Sequence, residues 1–312
     1  MPENSDDDVK DSINKDDLKD HFEKRINQSG FPLEDKVEKI LHKEFYNYRR
    51  NAHYIDKDEN KDRTIDFMVA TPCYWMPMKK SERLTINLEL IIECKKLPHH
   101  AWIFSGKESH TLPLEYLVLG SKNKELKEFV PAEKIRLKDA LPSVDSKLFT
   151  ANGWCEKFYK DDKKDTKKRK RKLTIQTNQK ETNLKDAIMK VTKAVRHRMD
   201  FRINENEELF RNKKKNGTYS MYVFQPLIIF QGEMYRTTEQ NGNSKLIPIK
   251  FAKIEKEYKS EKYNEKEGEI HIVSIDGISD YLKLLKSSFR PHEPPIEFME
   301  LFGLDRHRKG FL

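Results

Sequence analysis

Two stretches decide the reading of this chain: Arg63-Thr-Ile-Asp66-Phe-Met-Val-Ala70 and, after a loop, Leu90-Ile-Ile-Glu93-Cys-Lys95-Lys96. In the first, Ile65, Phe67 and Val69 alternate with Thr64, Asp66 and Met68, a period of two that predicts a strand with Asp66 turned away from the main apolar face. The second ends a run, 84–94, so rich in Ile and Leu that it reads as a strand buried on both faces, yet it finishes in Glu93 and Lys95. Ionised groups in such places must be paired, solvated or bound to a metal. Two carboxylates and an ammonium on adjoining strands can hold a divalent cation and position a water beside it.

Composition narrows the setting. Charged residues make up 36% of the 312 positions and hydrophobic residues another 36%, which predicts a folded core carrying long solvated insertions. A net charge of +9 favours a polyanionic partner over a neutral metabolite. No apolar run is long enough to cross a bilayer, and the acidic start Met1-Pro-Glu-Asn-Ser-Asp-Asp-Asp lacks the basic and apolar regions of a secretion signal, so the chain reads as cytoplasmic. Cys73, Cys94 and Cys155 are far apart, with no CxxC, which excludes a zinc knuckle or a disulfide framework.

In chain order, residues 1–14 read as a disordered acidic tail, followed by a short helix marked by Leu18, Phe22 and Ile26 and ended at Gly30. Pro32 opens a stronger helix in which Leu33, Val37, Ile40, Leu41, Phe45 and Tyr48 recur at three- and four-residue steps; its apolar arc also takes in Glu34 and Glu44, with Glu38 on the rim. A short strand around Tyr54 precedes the Asp66 strand. A hairpin loop of about ten residues containing Pro72 and Pro77 separates that strand from the next. After Lys96 the chain is expected to leave the sheet as an apolar loop through His99, His100 and Trp102. The six cations from Lys167 to Lys172 form a solvated loop suited to phosphate contact. A second strong helix, capped by Thr182 or Asn183, turns Leu184, Ala187, Ile188, Val191, Val195 and Met199 inward and places Lys185, Lys190, Lys193, Arg196 and Arg198 around its accessible side. A strand over 219–231, with Pro226 implying an edge or a bulge and Gly232 closing it, leads to strands near 246–254 and 269–275 and a helix over 279–287. The expected division is 15–104 as the first half of a core with the catalytic hairpin, 105–182 as an insertion and basic loop, 183–288 as the second half, and 289–312 as a C-terminal segment with an amphipathic piece.

Phosphodiester hydrolysis needs a cation to neutralise the scissile phosphate, an activated water and help for the leaving oxygen. Asp66 and Glu93 supply hard oxygen ligands, and strand alternation puts Glu93 and Lys95 on one face, with the Cys94 carbonyl as a further ligand. Lys95 would orient or deprotonate the attacking water, and Glu34 would reach in from the first strong helix through a water. Lys96, Lys167, Lys168, Arg169, Lys170, Arg171, Lys185 and Lys193 are the candidate contacts to the DNA backbone. Trp102 as a base-stacking platform and Gln225 near the site are further candidates, though a core Trp and a satisfied strand amide are the commoner roles.

Asp66 followed, 27 positions later, by Glu93-Cys94-Lys95 resembles the signature of the PD-(D/E)XK, or restriction-endonuclease-like, nucleases, and is nearest in look to Mrr-like restriction enzymes and archaeal junction resolvases. The helix Leu33-Glu34-Asp-Lys-Val37 is similar to that family's Glu-x-x-Val pattern, which favours Glu34 over Glu38 or Glu44; Ile65 stands where the name-giving Pro would be. The resemblance implies an α/β fold with a four-stranded mixed sheet flanked by helices, here with appended strands and a C-terminal helix. It also implies magnesium or manganese as cofactor and DNA as substrate, cut to 5′-phosphate ends, with pairing of two copies as a route to cutting both strands. A defence or restriction role is the matching expectation. The alternative is a nucleic-acid-binding module of this fold that does not turn over.

Overall fold

The computed structural model describes residues 15–45, 47–77, 83–109, 115–119, 135–136, 148–160, 172–174, 182–211, 218–240, 243–259, 262 and 264–288. The acidic tail, the C-terminal segment and the basic run holding Lys167, Lys168, Arg169, Lys170 and Arg171 lie outside the described residues. Helices α1 (Lys15–Gln28) and α2 (Phe31–Glu44) come first, followed by β1 (Tyr48–Asp56), β2 (Lys61–Pro77) and β3 (Arg83–Ser109). The short strands β4 (Glu115–Leu119) and β5 (Ile135–Arg136) come next, then β6 (Leu148–Lys160) and β7 (Lys172–Thr174). Helix α3 (Thr182–Arg211) leads to β8 (Thr218–Gln240), β9 (Asn243–Pro248), β10 (Phe251–Lys259), β11 (Asn264–Ser274) and α4 (Ile278–Ser288).

The α/β class and the helices on both faces agree with expectation, but among the described residues the sheet has eleven strands, not four. Its spine is β3 and β8, parallel to each other from Arg83↔Thr218 to Phe104↔Arg236. The other edge of β3 pairs antiparallel with β2 over residues 83–92 and with β6 over 100–109. Because β6 also pairs with β10, β10 with β11, and β11 with β8, the pairings close a ring of five strands: β3, β6, β10, β11 and β8.

Four local expectations are corrected. The hairpin is tighter than predicted, since β2 runs on to Pro77 and absorbs Pro72 at a register shift. Nor does the chain leave the sheet after Lys96. Ala101, Trp102, Ile103 and Phe104 are buried, and Trp102 stacks on Phe230 with ring centroids 3.7 Å apart, so β3 continues and Trp102 is core. Finally, β8 is central despite Pro226. On the edge away from β3 its partner is β4 up to Phe224 and β11 from Leu227, so the proline falls where the neighbours on that edge change. Gly232 does not end β8. A Cβ there would stand 2.9 Å from the Leu97 carbonyl oxygen and closer still to the Phe230 ring, so only glycine fits opposite the irregularity in β3 between Lys96 and Ala101.

Two cores lie on opposite faces of the sheet. One joins Leu33, Val37 and Leu41 of α2 and Tyr281, Leu282 and Leu285 of α4 to Phe67, Val69, Leu90 and Ile92. The other joins Leu184, Ala187, Ile188, Val191, Val195 and Met199 of α3, all buried as their spacing predicted, to Ile65, Met68, Ile91, Trp102 and Ile228. Strict alternation on the Asp66 strand fails at one point: Ile65 belongs to the α3 core and Phe67 to the α2 core. The opposite strand changes face at the same level, with Arg50 among the acids of α2 and Ala52 in the α3 core. Between them Asn51 has φ +50, a left-handed conformation that Asn adopts more readily than most residues.

Candidate active site

The β2–β3 ladder ends at Phe67↔Ile92. Continuing that register by one residue sets Asp66 opposite Glu93, on the face covered by α3. Here the strands fork: β2 goes on with β1, β3 goes on with β8, and among the described residues no strand pairs with 93–99 on the vacated edge of β3. At the fork the Asp66 side chain replaces the lost ladder, its Oδ2 accepting the Cys94 N–H at 2.6 Å. A strand residue aims its N–H and C=O toward the same neighbour, so the Cys94 carbonyl also points into the fork beside Asp66.

Glu93 is 2% exposed. Lys95 Nζ lies 2.9 Å from its Oε1, and Lys190 Nζ of α3 lies 2.6 Å from its Oε2 and 3.7 Å from Asp66 Oδ1. The Oε2 contact is an ion pair without the alignment of a hydrogen bond. Burial, and then the Asp66 charge, push the Glu93 carboxyl above its ordinary range despite the two lysines. Ionising Glu93 therefore opposes folding: the stability that its protonated form contributes is full below the ordinary carboxylate range and is lost as pH rises through the folded-state value. Glu93→Gln is accordingly expected to melt at or above wild type at pH 8, with the difference shrinking toward pH 4; a lower melting temperature for the variant at pH 8 would contradict this.

The structure brings together Asp66, Glu93, Lys95 and the Cys94 backbone. It does not bring in the helix acids. Glu34 lies on the opposite face, bound to Arg50 at 3.0 Å, and Arg50 also holds Asp35 and Glu38 at 2.8 Å while stacking over Phe31 and Phe67. Glu44 pairs with Lys286 of α4 at 2.7 Å. Burial, and then the charges of Asp66 and Glu93, raise the Cys94 thiol well above its ordinary range, with the charge of Glu34 adding to them. Gln225 also faces away, its amide donating to the Pro226 carbonyl at 2.9 Å.

The cations of α3 differ most from expectation. Lys185 is exposed as predicted. Lys190 turns into the site, Lys193 is buried between Asp56 (2.8 Å) and Asp58 (3.2 Å), and Arg198 and Arg202 each reach the fully buried Glu89 at 2.5 Å. Lys96 is not turned to this face either; its ammonium donates to the Asn27 carbonyl at the end of α1. Lys193→Ala should therefore leave DNA affinity unchanged and destabilise the fold by about 3 kcal/mol, because Asp56 would stay buried without its main partner. Chemical denaturation beside a DNA titration separates the two effects, and a loss of affinity with unchanged stability would overturn the assignment.

A sequence signal for these inward cations does exist. Arg202 lies eighteen residues, five full turns, beyond Leu184, and so on the apolar meridian of α3. Glu89 sits in the middle of a buried strand and needs such a partner.

Among the described residues, no three His, Cys, Asp or Glu side chains gather as a metal-ligand group. The donors at the fork nonetheless fit a magnesium-type ion, which takes one or two carboxylates and leaves its other positions to water and substrate phosphate. An ammonium already bridges the two carboxylates, which marks the gap between them as a place for positive charge. No helix among the described residues is long and apolar enough to cross a membrane. Comparison with protein-family models, curated proteins and solved structures gave no match.

Proposed function

We propose that this chain is a divalent-metal-dependent DNA endonuclease that hydrolyses phosphodiester bonds. The observation that carries the reading is the meeting of Asp66 with Glu93 and Lys95 where β2 and β3 part. Asp66, Glu93 and the Cys94 carbonyl would hold magnesium or manganese. The ion would supply charge to the scissile phosphate and acidity to a water. Lys95, held at Glu93 and 27% exposed at its side chain, can orient that water or meet a phosphate oxygen. The net charge of +9 and exposed Lys185 support a polyanionic substrate. A role in defence, and pairing of two copies to cut both strands, belong to the same proposal.

The second reading, a nucleic-acid-binding module without turnover, has one observation in its favour: the lysines already neutralise both acids. Supercoiled plasmid and single-stranded DNA, each incubated with and without Mn²⁺, separate the two. Metal-dependent nicking is the expected result. Salt-sensitive binding with no cleavage under any metal condition would favour the module instead.

A further inference from the structure

Lys190 has no part in the chemistry proposed above, yet it occupies the centre of the site. Among the described residues it is the one cation in ion-pair range of both acids, at 2.6 Å from Glu93 Oε2 and 3.7 Å from Asp66 Oδ1, whereas Lys95 pairs with Glu93. It also comes from the opposite side, from α3, while the two acids and Lys95 belong to the sheet. Charge counting shows what this does. Asp66, Glu93, Lys95 and Lys190 sum to zero, so the cluster is neutral as it stands. A divalent cation entering between the carboxylates would meet the Lys190 ammonium in the same gap, and like charges cannot share it. The Lys190 side chain is 29% exposed, on a flexible stem, so it can withdraw toward solvent without movement of the helix.

We infer that Lys190 is the built-in counter-ion of the Asp66–Glu93 pair, displaced when a divalent cation binds and then left beside the site as a positive charge for a DNA phosphate. The inference rests on the metal-dependent reading of the site and adds a residue and a regulatory consequence to it. Without metal the cluster is neutral and offers a phosphodiester no net attraction. With the cation bound and Lys190 moved aside, the same groups sum to +2, so cation binding prepares the site for a polyanion. Metal and DNA should then each strengthen binding of the other, as linkage requires of any coupled pair of ligands.

The test is a calorimetric titration of the full chain with Mn²⁺ alone at pH 8 and low salt. Lys190→Gln should bind Mn²⁺ about two- to fivefold more tightly than wild type, the scale of releasing one partly exposed ion pair, while Lys190→Arg, which keeps the charge, should stay near wild type. Unchanged or weaker binding by Lys190→Gln would overturn the inference. A second measurement needs no variant: reductive methylation of the wild-type protein, read by mass spectrometry, should label Lys190 several-fold faster once Mn²⁺ is added, and equal labelling rates would also overturn it. The outcomes separate the two levels of the argument. A wild type that nicks DNA with Mn²⁺, yet shows neither effect at Lys190, removes the counter-ion role alone. Absence of Mn²⁺ binding in both wild type and Lys190→Gln removes the metal-dependent reading as well.

Discussion

Lys95→Ala is expected to lower Mn²⁺-dependent plasmid nicking by about 10²- to 10⁴-fold, the range for loss of a positioned proton-transfer group, while DNA binding falls little. The side chain is suited to that role because of where it stands. It shares a face with Glu93, its ammonium lies 2.9 Å from Glu93 Oε1, and it is only partly exposed. Near a cation held by Asp66 and Glu93, it could meet both the attacking water and the scissile phosphate. Its contribution to the fold is small by comparison, since Lys190 still neutralises Glu93 when Lys95 is gone. Melting temperature and gel-shift affinity close to wild type, together with lost nicking, would assign the defect to chemistry. Nicking by the alanine variant at the wild-type rate would remove Lys95 from the mechanism.

The largest effect on stability is expected at Glu89, which has no part in the proposed chemistry. Its carboxylate is fully buried in β3 and is held by two guanidinium groups of α3, Arg198 at 2.5 Å and Arg202 at 2.5 Å; Arg202 also lies over the Tyr222 ring. Truncation to alanine leaves two mostly buried cations without their anion, a change that typically destabilises a fold by about 3–5 kcal/mol. For a chain of this size that is a fall in melting temperature on the order of 10 °C. An apolar triple replacement, Glu89→Leu with Arg198→Met and Arg202→Met, should recover most of the loss, since a buried ion cluster stabilises little relative to well-packed hydrophobic groups. Glu89→Ala melting within about 2 °C of wild type would show that this contact does not fasten α3 to the sheet.

How much of this was legible in the sequence depends on the range of the interaction. Period-two alternation and the Ile-rich run placed Asp66 and Glu93 on adjacent strands, and antiparallel register then sets them opposite each other, so the acids and Lys95 could be read locally. Glu34 falls on the other face because a helical arc says which residues face inward, not which face of a sheet the helix covers. The alternation itself misled at Ile65, where the ribbon changes face beside the left-handed Asn51. Lys190 and Lys193 flank the apolar stripe, where spacing alone predicts an accessible face, and only the acids they meet, distant in sequence, turn them inward. The union of β3 with β8 and the ring through β6, β10 and β11 join segments far apart along the chain, and no local pattern encodes such pairings.

The most direct test of the account is a crystal soaked in Mn²⁺ and recorded at the manganese absorption edge. One anomalous peak is expected at the fork of β2 and β3, within about 2.5 Å of an oxygen of Asp66 and an oxygen of Glu93, with the Lys190 ammonium no longer between them. Full soaking with no peak there, and Lys190 still bridging the two carboxylates, would contradict it.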